Sequence, residues 1–142
     1  MRLFVAITPP PAVLDELEAR VAALRPEWPA LRWTGRPAWH ITLAFLGEVS
    51  EQTSAALGPR LERAAHRHPS LPVSLAGAGA FPGPRHARVL WTGISSDRRA
   101  LEALAGYAGT PWTAAEIHLI RSHPGDRGSK PHYETVGTWP LR

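Results

Sequence analysis

The chain has 142 residues, 16 Lys+Arg against 12 Asp+Glu for a formal net charge of +4, and 44% hydrophobic residues with 15 Pro and 12 Gly. A chain of this length buries roughly two-thirds of its unfolded surface and holds its own core, which predicts a single domain over residues 1–142. It has no cysteine, and so no disulfide, thiolate metal site or cysteine nucleophile.

Arg2 to Ile7 is a short β-branched and aromatic run halted by Pro9, Pro10 and Pro11, and it predicts a first strand. Leu14, Leu17, Val21 and Leu24 recur at helical spacing with charged residues on the other face, so a helix follows and stops at Pro26. Arg32 to Thr34 predicts a short strand, and His40 to Leu46 a more apolar one closed by Gly47. Ser50 N-caps a second helix with Leu57, Leu61, Ala64 and Ala65 on one stripe; Pro59 either kinks it or marks its true first turn. Val73 to Ala80 and Arg88 to Ile94 are strands on either side of a turn-rich loop. Asp97 caps a third helix carrying Leu101, Leu104 and Ala108, and Thr113 to Ser122 and Tyr133 to Trp139 are the last two strands. Hairpin-linked strands interspersed with helices argue for an α+β fold of mixed or antiparallel sheets rather than a doubly wound parallel one.

No apolar run approaches the roughly 18 to 20 residues that cross a bilayer, so the expectation is a cytoplasmic protein with no membrane partner. Lys130 is the sole lysine, and the arginines that supply the other positive charges are planar forks suited to phosphate. A net +4 by itself is what a solvated face carries, and it does not establish nucleic-acid binding. His66 and His68 end a predicted helix, where positions i and i+2 diverge, with no third ligand nearby in sequence; no metal site and no cofactor are expected.

The densest cluster is Arg32-Trp33-Thr34 followed by Trp39-His40-Ile41-Thr42-Leu43-Ala44-Phe45-Leu46-Gly47. Residues i and i+2 of a strand share a face, which sets the His40 imidazole beside the Thr42 hydroxyl. Such a pair suits phosphate chemistry: histidine moves a proton near neutral pH while threonine donates to a non-bridging oxygen. A strand-end histidine with a satisfied hydrogen bond would show the same pattern. None of the other histidines is followed two residues on by threonine. His118 alternates with Ile117 and Leu119 and reads as a half-exposed strand residue, while His123 and His132 bracket a polar loop. Trp33, Trp91 and Trp139 are most simply core or rim.

These residues carry a resemblance. The segment from Arg32-Trp33 to His40-Ile41-Thr42-Leu43-Ala44-Phe45-Leu46-Gly47 resembles the first signature of the 2H phosphoesterase superfamily, in particular the bacterial RNA 2′,3′-cyclic phosphodiesterases, also called 2′-5′ RNA ligases. Arg2 to Ile7, Gly79-Ala80-Phe81-Pro82 with Arg88 to Trp91, Glu116 to Ser122, and Tyr133 to Val136 are similar to that family's other strands, in the same order. The resemblance implies a two-lobed fold and metal-free opening of a 2′,3′-cyclic phosphate RNA end to a 2′-phosphate by two histidines facing each other across a cleft. It implies His40 as a catalytic residue, Thr42 as a phosphate ligand and Arg121 as a basic residue at the cleft edge. The second H-x-T motif that the family carries between the third helix and Ile117 has no counterpart, consistent with an internal deletion near Leu104 to Gly106. The expected consequences are a shortened, weakened second lobe, reduced turnover, and an open sheet edge in that lobe through which two chains could pair as a homodimer. The alternative readings are a catalytically inactive relative that binds RNA ends or nucleotides, and an unrelated metal-dependent hydrolase using the spare histidines.

Overall fold

A computed structural model of the chain describes residues 1–27, 29, 33–81, 89–95, 109–125 and 129–142, with the backbone alone over 78–81 and 89–95. The third helix expected from Asp97, the expected gap at Leu104 to Gly106, Arg32, and residues 82–88 of the turn-rich loop lie outside the described residues.

The described elements run β1 (Arg2–Ile7), α1 (Pro11–Leu24), a 3-10 turn (Arg25–Glu27), a second 3-10 turn (Arg36–Ala38), β2 (Ile41–Glu48) and α2 (Glu51–Ala65), followed by β3 (Leu71–Phe81), β4 (Val89–Ser95), β5 (Trp112–Ala114), β6 (Glu116–His123) and β7 (His132–Pro140). Two sheets form, one of four strands in the order β2-β1-β6-β7 and one of three in the order β4-β3-β5, and every described strand pair is antiparallel. The fold is therefore α+β, in two lobes, as expected.

β1 is apolar at nearly every position because it is interior to its sheet, with β2 on one side and β6 on the other. α1 starts with Pro11 in its first turn, where a missing N–H costs nothing. The Ser50 hydroxyl accepts the Thr53 amide N–H at 3.1 Å and caps α2, which runs on through Pro59. Pro59 thus stands inside the helix and not at its first turn.

Leu3, Val5, Ile7, Ile117 and Leu119 on one face of the four-stranded sheet pack with Ala65 of α2 and with Val73 and Ala114 of the other sheet. This is the main core, and Trp112 and Trp139 border it. The opposite face carries a smaller cluster of Phe4, Ala6 and Ile120 with Tyr133 against it.

Two expectations are corrected. Trp33 and Thr34 form no strand; the chain there is irregular and tightens into the 3-10 turn at Arg36, because Pro37 locks its own φ and has no N–H to give a ladder. The single strand expected from Thr113 to Ser122 is broken at Ala115: β5 pairs with β3 in one sheet and β6 with β1 and β7 in the other. That break is the crossing point between the lobes.

Candidate functional site

Alternation along β1 and β6 sorts their residues onto the two faces of the four-stranded sheet. Phe4, Ala6, His118 and Ile120 share the face opposite the main core, with Ala6 paired to His118 and Phe4 to Ile120. On β7 a register shift between Leu119 and Ile120 skips Val136, so that Thr135 pairs with Ile120 and Thr138 with His118. The bulge puts two threonines an odd number of residues apart on this same face.

His40 stands one residue ahead of β2, above this face. Its ring lies 4.6 Å from that of Phe4 and 5.4 Å from that of Tyr133, and Phe4 and Tyr133 meet edge to face at 5.6 Å. Two aromatic walls therefore fix the imidazole. Burial among them pushes His40 below the ordinary histidine value of 6.5, partly opposed by a hydrogen bond with the Ala38 backbone. The neutral ring is favoured at pH 7, with one nitrogen engaged by the backbone.

The turn that presents His40 is tied to α1. The Arg36 guanidinium donates to the Asp15 carboxylate, to Glu18 Oε2 at 3.0 Å and to the Pro11 carbonyl at 3.1 Å. The Trp39 indole N–H donates to Thr34 Oγ1 at 3.3 Å. Exposed pairs of this kind add little stability, but several donors from one guanidinium restrict where the turn sits.

A cleft of about 400 Å³ opens beside His40, lined by Thr8, Arg36, Trp39, Tyr133 and Thr135 among others. A second hollow of about 600 Å³ is lined by Glu116, His118, Thr113 and Thr138, and it also includes Thr8 and Thr135. The two hollows meet at Thr8 and Thr135, giving a groove with His40 on one side of them and His118 on the other.

Thr42, half-buried, is paired with Ala6 on the strand next to β6, and it stands outside the lining of the His40 cleft. Arg121 pairs with Leu3 and Glu134, on the core side of the sheet, and the structure does not bring it to His40. His123 and His132 stack at 5.6 Å at the far end of β6 and β7, with His123 Nε2 2.7 Å from Glu134 Oε2. That contact holds the Glu134 carboxyl below its ordinary value. His66 and His68 are exposed just beyond α2; His68 is followed by Ser70, an H-x-S pair, but it lies in a turn and not on a strand. Among the described residues no three His, Asp or Glu side chains gather as a metal site, and no helix is long and apolar enough to cross a membrane.

Arg36, Tyr133 and His118 are among the groove residues that sequence reasoning left without a site role. Of these three, His118 leaves a local trace, as a polar residue inside the apolar run Ile117 to Ile120.

The model of the family described as LigT-like phosphoesterase matches residues 7–91, more than half of the chain and including the His40 turn and β2. The chain belongs to the LigT-like phosphoesterase family. This places it in the 2H superfamily, as the H-x-T segment implied. This LigT-like phosphoesterase is 32% identical over 106 residues to the RNA 2′,3′-cyclic phosphodiesterase of Archaeoglobus fulgidus, covering 68% of this chain and 53% of that one. It is 35% identical over 109 residues to the enzyme of the same name from Escherichia coli K12, covering 73% of this chain and 56% of that one. The chain thus spans about half the length of these curated relatives. Among solved structures, Escherichia coli LigT complexed with phosphate aligns with a TM-score of 0.75 at 26% identity, over 99% of this chain and 96% of that one. The protein TT0787 of Thermus thermophilus aligns with a TM-score of 0.80 at 22% identity, over 100% and 98% of the two chains, a likeness of fold.

Proposed function

We propose that this LigT-like phosphoesterase hydrolyses RNA 2′,3′-cyclic phosphate ends to 2′-phosphates, with His40 as general base. The observation that carries the reading is the aromatic-walled imidazole of His40 at an open cleft, where burial lowers its proton affinity, in a chain whose curated relatives are named RNA 2′,3′-cyclic phosphodiesterases. Neutral His40 takes a proton from water as the water oxygen attacks phosphorus; the bond from phosphorus to the 3′ oxygen breaks, and that oxygen leaves as a hydroxyl after gaining a proton. Thr42, across Ala6 from β6, is the proposed hydroxyl donor to a non-bridging oxygen. No role in the groove is assigned to Arg121, whose register carries it to the other face.

No step in this scheme calls for a metal. The test is cleavage of a short RNA with a terminal 2′,3′-cyclic phosphate in the presence of EDTA, by this chain and its His40→Ala variant. A loss of about 10² to 10⁴ in the variant is expected. Saturable RNA binding without turnover would instead favour the second reading, a binding relative that has lost its chemistry. An RNA substrate is what supports a cytoplasmic setting. A second copy of the chain is the other proposed partner, at the β2 edge, where Leu43 and Phe45 are exposed.

A further inference from the structure

Opening a cyclic phosphodiester needs two proton transfers, one from the attacking water and one to the departing ribose oxygen. His40 accounts for the first, and in the reading above nothing yet serves the second. We propose that His118 is the general acid, supplied by β6 in place of a second H-x-T motif; the inference rests on that reading.

Three observations converge on it. Thr42, Ala6, His118 and Thr138 lie in one row across four adjacent strands, by their register pairs. Neighbouring strands are about 4.8 Å apart, so His118 stands roughly 10 Å of backbone from Thr42, with Ala6 between them in the row. The His118 ring is held: its side chain is 13% exposed, and Nδ1 lies 3.0 Å from Thr138 Oγ1. Nε2 lies 3.4 Å from Glu116 Oε1, beyond a good hydrogen bond but within ion-pairing reach of a ring that carries a proton. Among the described residues, Glu116 is the only carboxylate lining this end of the groove, where the lining apart from His118 is apolar, proline or threonine. Thr8 and Thr135, which line both hollows, connect this ring to His40.

The step balances without any further reactant. Water gives a proton to His40 and its oxygen to phosphorus, the bond from phosphorus to the 3′ oxygen breaks, and His118 Nε2 gives its proton to that oxygen. Proton exchange with solvent then returns both rings to their starting states.

The test compares wild type, His118→Gln and Glu116→Gln on the cyclic-phosphate RNA and on an analogue whose bridging 3′ oxygen is sulfur, a leaving group that departs without protonation. His118→Gln is expected to lose about 10² or more on the oxygen substrate, and to lose far less on the sulfur analogue. Glu116 is more than half exposed, so its replacement leaves the fold intact. Glu116→Gln should lower kcat on the oxygen substrate with KM unchanged, and leave the sulfur analogue's rate where it was. Equal losses by His118→Gln on both substrates, or none on either, overturn the assignment while leaving His40 in place. Absence of turnover by the wild type overturns this assignment and the proposed function together, whereas turnover lost in His40→Ala but retained in His118→Gln overturns this one alone.

Discussion

The ring of Phe4 lies 4.6 Å from the imidazole of His40, tilted by 34°. Phe4 is buried in β1, the strand between β2 and β6. A buried strand residue is thus also a wall of the candidate site, and it adds to the burial that lowers the proton affinity of His40.

Replacing Phe4 should therefore change chemistry as well as stability. Phe4→Ala is expected to cost about 3 to 5 kcal/mol, as for other buried phenylalanines, and Phe4→Leu considerably less. With one aromatic wall gone, water reaches His40 and its titration moves up toward 6.5. Following the His40 ring protons by NMR across pH in Phe4→Leu checks the direction; an unchanged midpoint would show that Phe4 does not supply the desolvation.

His40 also links stability to pH. Its folded value lies below the unfolded 6.5, so the folded state resists protonation. Its contribution is intact above about 6.5 and is lost as pH falls from there through the lowered folded value. Urea unfolding at about pH 8 and about pH 5 should show a smaller acid loss in His40→Gln than in wild type. The same shift keeps His40 neutral to lower pH, so the acid limb of kcat/KM is expected below 6.5.

Gly137 is demanded by Trp139. A Cβ built on Gly137 would stand 2.5 Å from the Trp139 ring, which borders the main core and passes 3.8 Å from a Cβ built on Gly58 of α2. The ring has a helix behind it and cannot retreat freely. Gly137→Ala should destabilise by about 1 to 3 kcal/mol, and Trp139→Leu in the same chain should recover part of that loss. Denaturant midpoints of the two single variants and the double variant test the coupling.

Arg36 positions the turn ahead of His40 from an accessible site. Arg36→Gln should leave the denaturant midpoint of unfolding nearly unchanged, because its ion pairs are solvent-screened. Turnover should fall by up to about 10²-fold, the penalty for a displaced catalytic group. Arg36→Lys should not restore it, since an ammonium lacks the fork that reaches Asp15, Glu18 and Pro11 together.

The β2 edge offers the fifth prediction. Phe45 is 81% exposed and Leu43 51% exposed on a strand that ends its sheet, an arrangement that natural proteins usually blunt or cover. Sedimentation equilibrium should show self-association in the wild type that Phe45→Lys abolishes. A wild type that sediments as a monomer would retire the proposed pairing.

The sequence by itself determined most of the strands and helices, though not the irregular stretch at Trp33–Thr34 or the break at Ala115, because hydrophobic period, prolines and caps act over a few residues. Arg2 to Ile7, Ser50 and the run ending at Gly47 were legible for that reason. The tertiary structure alone decided which face each side chain joined. Ala115 sends β5 and β6 to different sheets, and the bulge at Val136 aligns Thr135 with Thr138. The register of β6 on β1 turns Arg121 toward the core side and His118 into the groove. Face and register depend on pairings between residues tens of positions apart, and a slip of one residue reverses every side chain.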